Sequence, residues 1–268
     1  MILNVILTCV AVLAATLICF GCSMSPWWLL ALIPAGFIGA IVAYLLILFI
    51  ISFFMPRKTP KRSSSICHWL VVQTMQLIMP FLGIRAKVVG AEQIPSCPCV
   101  IVSNHRSGFD PMTMLAALKG RRVTYISKES NFRIPLVGPY IRRAGFVPID
   151  RGNGLRAVKS LHTAADYMKT DGIDLGIYPE GTRSKTGKLL RFKTGACYLA
   201  KLAEAPIVVL ATRGTERIST RFLLSPICVE LKVVEVIDAE RVMNTDQNEL
   251  TSYIRQVIAR ELGEPVEE

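Results

Sequence analysis

Apolar and polar positions fall into two regimes along the chain. Over residues 2 to 54 they barely alternate: two apolar runs, residues 2 to 20 and 27 to 54, flank Gly21, Cys22, Ser23, Met24, Ser25 and Pro26, a turn-forming break. From about residue 65 the pattern becomes periodic. Residues 67 to 82 carry Trp69, Leu70, Val71, Met75, Leu77, Ile78, Met79 and Phe81 and predict a helix, either packed in the ordinary way or laid on a surface. Residues 86 to 90 and 98 to 103 read as short strands around a turn at 92 to 95. Helix 111 to 119 follows, with Asp110 as its N-cap and Pro111 in its first position. Then come strand 123 to 127, a basic loop at 128 to 138 entering a helix that runs to about 143, and strand 146 to 149. Helix 154 to 169 repeats Leu155, Val158, Leu161, Ala165 and Met168, which leaves His162 a surface or packing residue. Strand 175 to 178, helix 194 to 203 and strand 207 to 211 come next. Residues 226 to 236 alternate Val229, Leu231 and Val233 with Glu230 and Lys232, a strand with one wet face. An amphipathic helix from about Leu250 ends near Gly263. Strands separated by helices predict an α/β fold with a mixed, mostly parallel sheet flanked by helices.

Charge sharpens the division. The first charged side chain in 268 residues is Arg57, so the opening 56 residues form an uncharged block. Each apolar run is near or above the roughly 20 residues a helix needs to cross a bilayer. Trp27 and Trp28 suit an interface. A secretory signal would carry a basic start and lead to a polar chain, whereas a second apolar run follows here. The block reads as a retained two-helix membrane hairpin, residues 1 to 56, spanning twice or entering one leaflet; both place its ends on one side. Residues 57 to 65 form a basic linker with Arg57, Lys58, Lys61 and Arg62, and 66 to 268 form one domain. The positive-inside tendency puts that domain on the cytoplasmic face. The net charge of +11, carried entirely by residues 57 to 268, points to an anionic partner. No nucleic-acid-binding motif is visible, so no nucleic acid is expected, and the anchor favours lipid phosphate. The eight cysteines lack paired metal-ligand spacing and read as reduced, buried thiols, with no metal site.

The candidate chemistry begins after the strand at 98 to 103. His105 falls in the loop at its carboxyl end, where open α/β sheets place ligands, and Asp110 follows five residues later. A carboxylate folded back onto the imidazole would fix its tautomer and leave the other nitrogen free to remove a proton. The same residues also describe a plain helix cap beside a surface histidine, and the segment alone does not separate the two.

Three further blocks tip the balance. Asn104, His105 and Asp110 are followed by Phe132, Arg133, Pro135 and Gly138, then by Pro179, Glu180, Gly181, Thr182, Arg183 and Ser184, then by Pro206 between Ala205 and Ile207. In this order, over roughly residues 65 to 240, they resemble the glycerolipid acyltransferases, in particular the 1-acyl-glycerol-3-phosphate (lysophosphatidate) acyltransferases, whose bacterial members carry a two-helix anchor. The resemblance implies His105 as general base and Asp110 as its orienting partner. It implies phosphate binding by Arg133 and Arg183 in concert with Gly181 and Thr182, with Lys128 and Arg151 adding to the cradle. Glu180 is implied as a substrate-binding residue, through the glycerol hydroxyls or by ordering the arginine. The implied reaction moves an acyl group from acyl-CoA or acyl carrier protein to lysophosphatidate at a bacterial-type inner membrane, with no other cofactor. Ser103 and Ser107 flank the histidine as alternative nucleophiles, but the nucleophile-elbow pattern is absent. A hydrolase using the same dyad and a non-catalytic anionic-lipid-binding module remain as rivals.

Overall fold

The computed structural model describes residues 2–184, 186–218 and 226–265. Helices α1 (Ile2–Gly21) and α2 (Leu29–Phe54) form the amino-terminal hairpin. Leu3, Leu7, Ala11, Ala15 and Cys19, spaced four apart, make the buried stripe of α1. Ala11 and Gly36 let the two helices approach closely, since a Cβ on Gly36 would sit 3.3 Å from the Ala11 carbonyl. The remaining surface is apolar and open: only 28% and 11% of the two hydrophobic windows are buried, which is not how a core helix of a soluble domain sits. Both helices are long and apolar enough to cross a membrane.

Helix α3 (Ser65–Phe81) begins at a Ser64 cap, and its buried residues include Cys67, His68, Val71, Leu77 and Met79, so it packs as a domain helix. Trp69 and Phe81 stay exposed. The linker is pinned as well: Ser63 N–H donates to Asp171 at 2.6 Å and Ser64 N–H to the Arg143 carbonyl at 2.7 Å. Tyr44 and Thr74 share a hydrogen bond of 2.8 Å between α2 and α3, and the Tyr140 hydroxyl donates to the Leu48 carbonyl at 3.1 Å. The inner end of α2 is therefore part of the domain's packing.

Among the described residues seven strands form one sheet: β1 (Ile84–Val89), β2 (Val100–Ser103), β3 (Val123–Lys128), β4 (Val147–Ile149), β5 (Asp174–Ile177), β6 (Ile207–Arg213) and β7 (Ile227–Ile237), in the order β1-β7-β6-β2-β5-β3-β4. Among the described residues only β6 and β7 pair antiparallel, so the sheet is mixed and mostly parallel. β1 and β2, consecutive in sequence, do not pair; β7 and β6 lie between them. The central strands read as unbroken apolar runs because both faces are covered. Val100, Val102, Ile207 and Val209 point into a core beneath α6 (Gly154–Asp171), α7 (Gly195–Ala203) and α9 (Gln247–Leu262). Ile101, Val208 and Leu210 point the other way, toward α3, α4 (Asp110–Ala117) and α5 (Val137–Arg143). A short helix, α8 (Ala239–Asn244), precedes α9.

Two expectations need correction. Among the described residues no disulfide forms, but the thiols are not uniformly buried: Cys9, Cys22, Cys97 and Cys228 are exposed. Asp110 is also not the N-cap of α4; Phe109 holds that position.

Candidate active site

β2 runs parallel to both β5 and β6, so the loops leaving β2 and β5 emerge at the same edge of the sheet. The buried side chain of Asn104 ties the first loop to β6: its Oδ1 accepts from Thr212 N–H at 2.8 Å, and its Nδ2 donates to the Thr212 carbonyl at 2.9 Å. The next residue is clamped by the second loop. His105 N–H donates to Glu180 Oε1 at 2.6 Å, and the His105 carbonyl accepts from Ser184 N–H at 3.0 Å.

With its backbone held on both sides, His105 directs Nδ1 to Asp110 Oδ2 at 2.7 Å. The same oxygen accepts from the N–H groups of Arg106 and Ser107, each at 2.8 Å. Asp110 is fully buried. Its helix starts one residue earlier than the sequence suggests, since Phe109 is already helical in backbone conformation and its carbonyl accepts from Thr113. The carboxylate thus turns backward onto the loop instead of capping its own helix. An ionised Asp110 holds a proton on Nδ1 and leaves Nε2 of the imidazole as an acceptor.

The flat face of His105 rests on Tyr178, with ring centroids 4.3 Å apart, and Tyr178 stacks in turn on Tyr125 at 5.7 Å. Space for Tyr125 exists because its partner across the strands is Gly176: a Cβ there would lie 2.2 Å from the Tyr125 ring. Burial, reinforced by the charge of Asp110, pushes both phenols above their ordinary range, so they stay neutral beneath the dyad. The alternative nucleophiles are otherwise engaged. Ser103 is buried against the Thr212 hydroxyl at 2.8 Å, and the Ser107 hydroxyl accepts from Phe109 N–H at 3.2 Å.

The basic residues divide. A Cβ on Gly108 would lie 3.4 Å from Arg183 Nη1, so the Arg183 guanidinium lies against the loop that holds His105 and Asp110. Arg183, Thr182, Lys128 and Arg151 line the same cavity as His105. Arg151 also donates to the Gly181 carbonyl, and Gly181 adopts a left-handed φ of 69° that suits glycine. Arg133 is exposed and does not line the cavity. Glu180 is 4% exposed, and its oxygens accept from the N–H groups of His105 and Leu190, so its contacts brace backbone. Burial pushes its carboxyl above the usual range, while the two backbone donors pull it back.

The cavity has a volume of about 680 Å³, within the size range of small-molecule sites. Past His105 its walls are apolar, with Leu45 and Leu48 from α2, Leu70 and Met75 from α3, and Val137 and Ile141 from α5. Among the described residues no group of three or more His, Cys, Asp or Glu is placed to hold a metal.

The carboxylate-steered histidine therefore sits beside an arginine at the carboxyl edge of a mostly parallel sheet and opens into an apolar cavity. Residues 85–213 match the family model for acyltransferases. The chain's relatives narrow the class. Over 240 residues it is 27% identical to the 1-acyl-sn-glycerol-3-phosphate acyltransferase of Saccharomyces cerevisiae, covering 88% of this chain and 75% of that protein. It is 36% identical over 149 residues to 1-acyl-sn-glycerol-3-phosphate acyltransferase alpha of Homo sapiens, covering 55% of this chain and 52% of that one, so the match spans about half the human protein's length. The crystal structure of the 1-acyl-sn-glycerophosphate (LPA) acyltransferase PlsC from Thermotoga maritima superposes with a TM-score of 0.63 at 25% identity, covering 98% of this chain and 95% of that one.

Proposed function

We propose that this protein transfers a fatty acyl group from an acyl thioester to the sn-2 hydroxyl of lysophosphatidate, forming phosphatidate. The observation that carries the reading is the position of Arg183 against Gly108 in the same loop that holds the His105–Asp110 pair. An anionic group gripped by that guanidinium places the neighbouring glycerol hydroxyl at the imidazole. In the proposed sequence His105 Nε2 takes the hydroxyl proton as the oxygen attacks the thioester carbonyl. The tetrahedral intermediate collapses, the carbon–sulfur bond breaks, and the departing sulfur recovers the proton from the imidazolium. Asp110 stabilises that cation without itself accepting the proton. Arg183, supported by Lys128 and Arg151, holds the phosphate by charge-assisted bonds and makes the attack effectively intramolecular. The apolar reach of the cavity suits an acyl chain. No metal or other cofactor enters the scheme; the donor is a co-substrate, acyl-CoA or acyl carrier protein.

The apolar hairpin fits membrane attachment, with Arg57, Lys58, Lys61 and Arg62 holding the domain at a cytoplasmic, anionic leaflet. A product assay on the purified full chain, using a panel of lysolipid acceptors and glycerol 3-phosphate with both donor types, tests the reading. Phosphatidate from lysophosphatidate is the expected product. Release of free fatty acid alone, or turnover confined to another acceptor, overturns it.

A further inference from the structure

Glu180 is not the only carboxylate that ties the histidine loop to the segment beyond Arg183. Glu264 makes a second, parallel tie one residue along each strand of the contact. Glu180 joins His105 N–H to Leu190 N–H, at 2.6 and 3.1 Å. Glu264 joins the Arg106 guanidinium to Leu189 N–H, the latter at 2.6 Å. The pair is sheltered, with the side chains of Arg106 and Glu264 each 17% exposed.

The local structure delivers Glu264 there. Helix α9 ends at Gly263 in the left-handed conformation, φ 72°, with Glu264 N–H donating to the Ala259 carbonyl and Gly263 N–H to that of Arg260. This paired closure fixes the direction in which the chain leaves the helix. The end of α9 is itself anchored: Glu261 pairs with Lys232 on β7 at 2.8 Å and with Arg213 on β6 at 3.3 Å. Arg255, one turn and a half earlier, donates to the Leu190 carbonyl at 3.3 Å. The loop between Pro179 and Lys193 is closed at its base by Lys193 N–H on the Pro179 carbonyl at 2.9 Å. Arg183 lies within that loop, so what fixes residues 189 and 190 limits where its guanidinium can go.

We propose that Glu264 is a positioning residue of this active site: through Arg106 and Leu189 it latches the loop bearing Arg183 onto the loop bearing His105. It touches no reacting atom. The inference rests on the proposed acceptor reading for its kinetic consequence, but not for its structural one.

Two measurements on the full chain in detergent micelles test it. Hydrogen exchange of a peptide covering residues 183–192 reads the latch directly and needs no turnover; Glu264→Ala accelerates it, while peptides from α6 keep wild-type protection. In steady-state kinetics Glu264→Ala raises the KM for lysophosphatidate about tenfold, the effect of losing one charge-assisted interaction near 1.4 kcal/mol, with the acyl-CoA KM and kcat within about twofold of wild type. Arg106→Ala costs less in the Glu264→Ala background than in wild type, as expected of partners in one contact. Unchanged exchange over 183–192, an additive double variant, or a loss of kcat that tracks unfolded protein overturns the latch. A wild-type chain inert toward lysophosphatidate overturns the acceptor reading instead and leaves the exchange result to decide the latch.

Discussion

The imidazole of His105 lies face to face with the phenol of Tyr178, centroids 4.3 Å apart and planes 17° from parallel. Asp110 fixes the ring along one edge, and Tyr178 fixes the plane in which it can rotate. Replacing Tyr178 by Phe keeps the platform and leaves kcat within about twofold, whereas Tyr178→Leu removes a stack worth about 0.5–1.5 kcal/mol and lowers kcat about two- to tenfold. Steady-state kinetics with saturating substrates separates the two; equal activity of both variants would strip the stack of a role.

Gly176 is where the sheet makes room for this arrangement. Gly176→Ala drives a methyl to 2.2 Å from the Tyr125 ring, inside a strand pair whose backbone cannot part. Overpacking of this kind costs about 1–3 kcal/mol and lowers Tm by several degrees. Differential scanning fluorimetry in detergent measures it. An unshifted Tm would mean Tyr125 has another place to go.

Arg183 is expected to act on binding and not on the chemical step. Arg183→Ala raises the KM for lysophosphatidate about 10- to 100-fold, from the roughly 1.5–3 kcal/mol of a hydrogen bond to a charged group. Arg183→Lys recovers only part of that, because a lysine cannot reproduce the planar two-pronged grip. An acceptor KM unmoved by either substitution would clear the residue of phosphate binding.

Much of the scaffold can be read from the sequence because it is written locally. Val100, Ile101 and Val102 are all apolar because α/β strands are covered on both faces, and Val229, Leu231 and Val233 alternate because β7 is not. The His105–Asp110 pair is visible for the same reason, five residues apart in one loop. What escapes is what joins distant parts. Asn104 pairs with Thr212 across 108 positions and Arg106 with Glu264 across 158, and nothing in either neighbourhood announces the partner. Tyr178 reads as the end of a strand, since its value lies in the ring that loop closure sets above it. Arg133 sits in a motif block yet is exposed and does not line the cavity, because a motif gives spacing and not the direction of a side chain. Helix α8, six residues long behind an Asp238 cap, is too short for periodicity to mark.

His68 gives the fold an acid limit. Burial in α3 lowers its pKa below the ordinary 6.5, while its Nε2 faces the Val123 carbonyl at 2.9 Å. The native state keeps the ring neutral where the unfolded chain would protonate it. This contribution is therefore fully present above about pH 6.5 and is lost as pH falls from there toward the depressed native value. His68→Gln, which retains a donor without a titrating ring, shows a smaller drop in Tm than wild type between pH 7.5 and 5.5. Parallel slopes would remove His68 from the acid response.

In the proposed reaction His105 is the base that activates the acceptor hydroxyl. This role is tested most directly by measuring phosphatidate formation and lysophosphatidate binding side by side for wild type and His105→Ala. A positioned general base supplies about 10²- to 10⁴-fold, so turnover by the variant falls by at least about a hundredfold while its lysophosphatidate affinity stays within about twofold. A variant that still forms phosphatidate within tenfold of the wild-type rate would show that His105 is not that base.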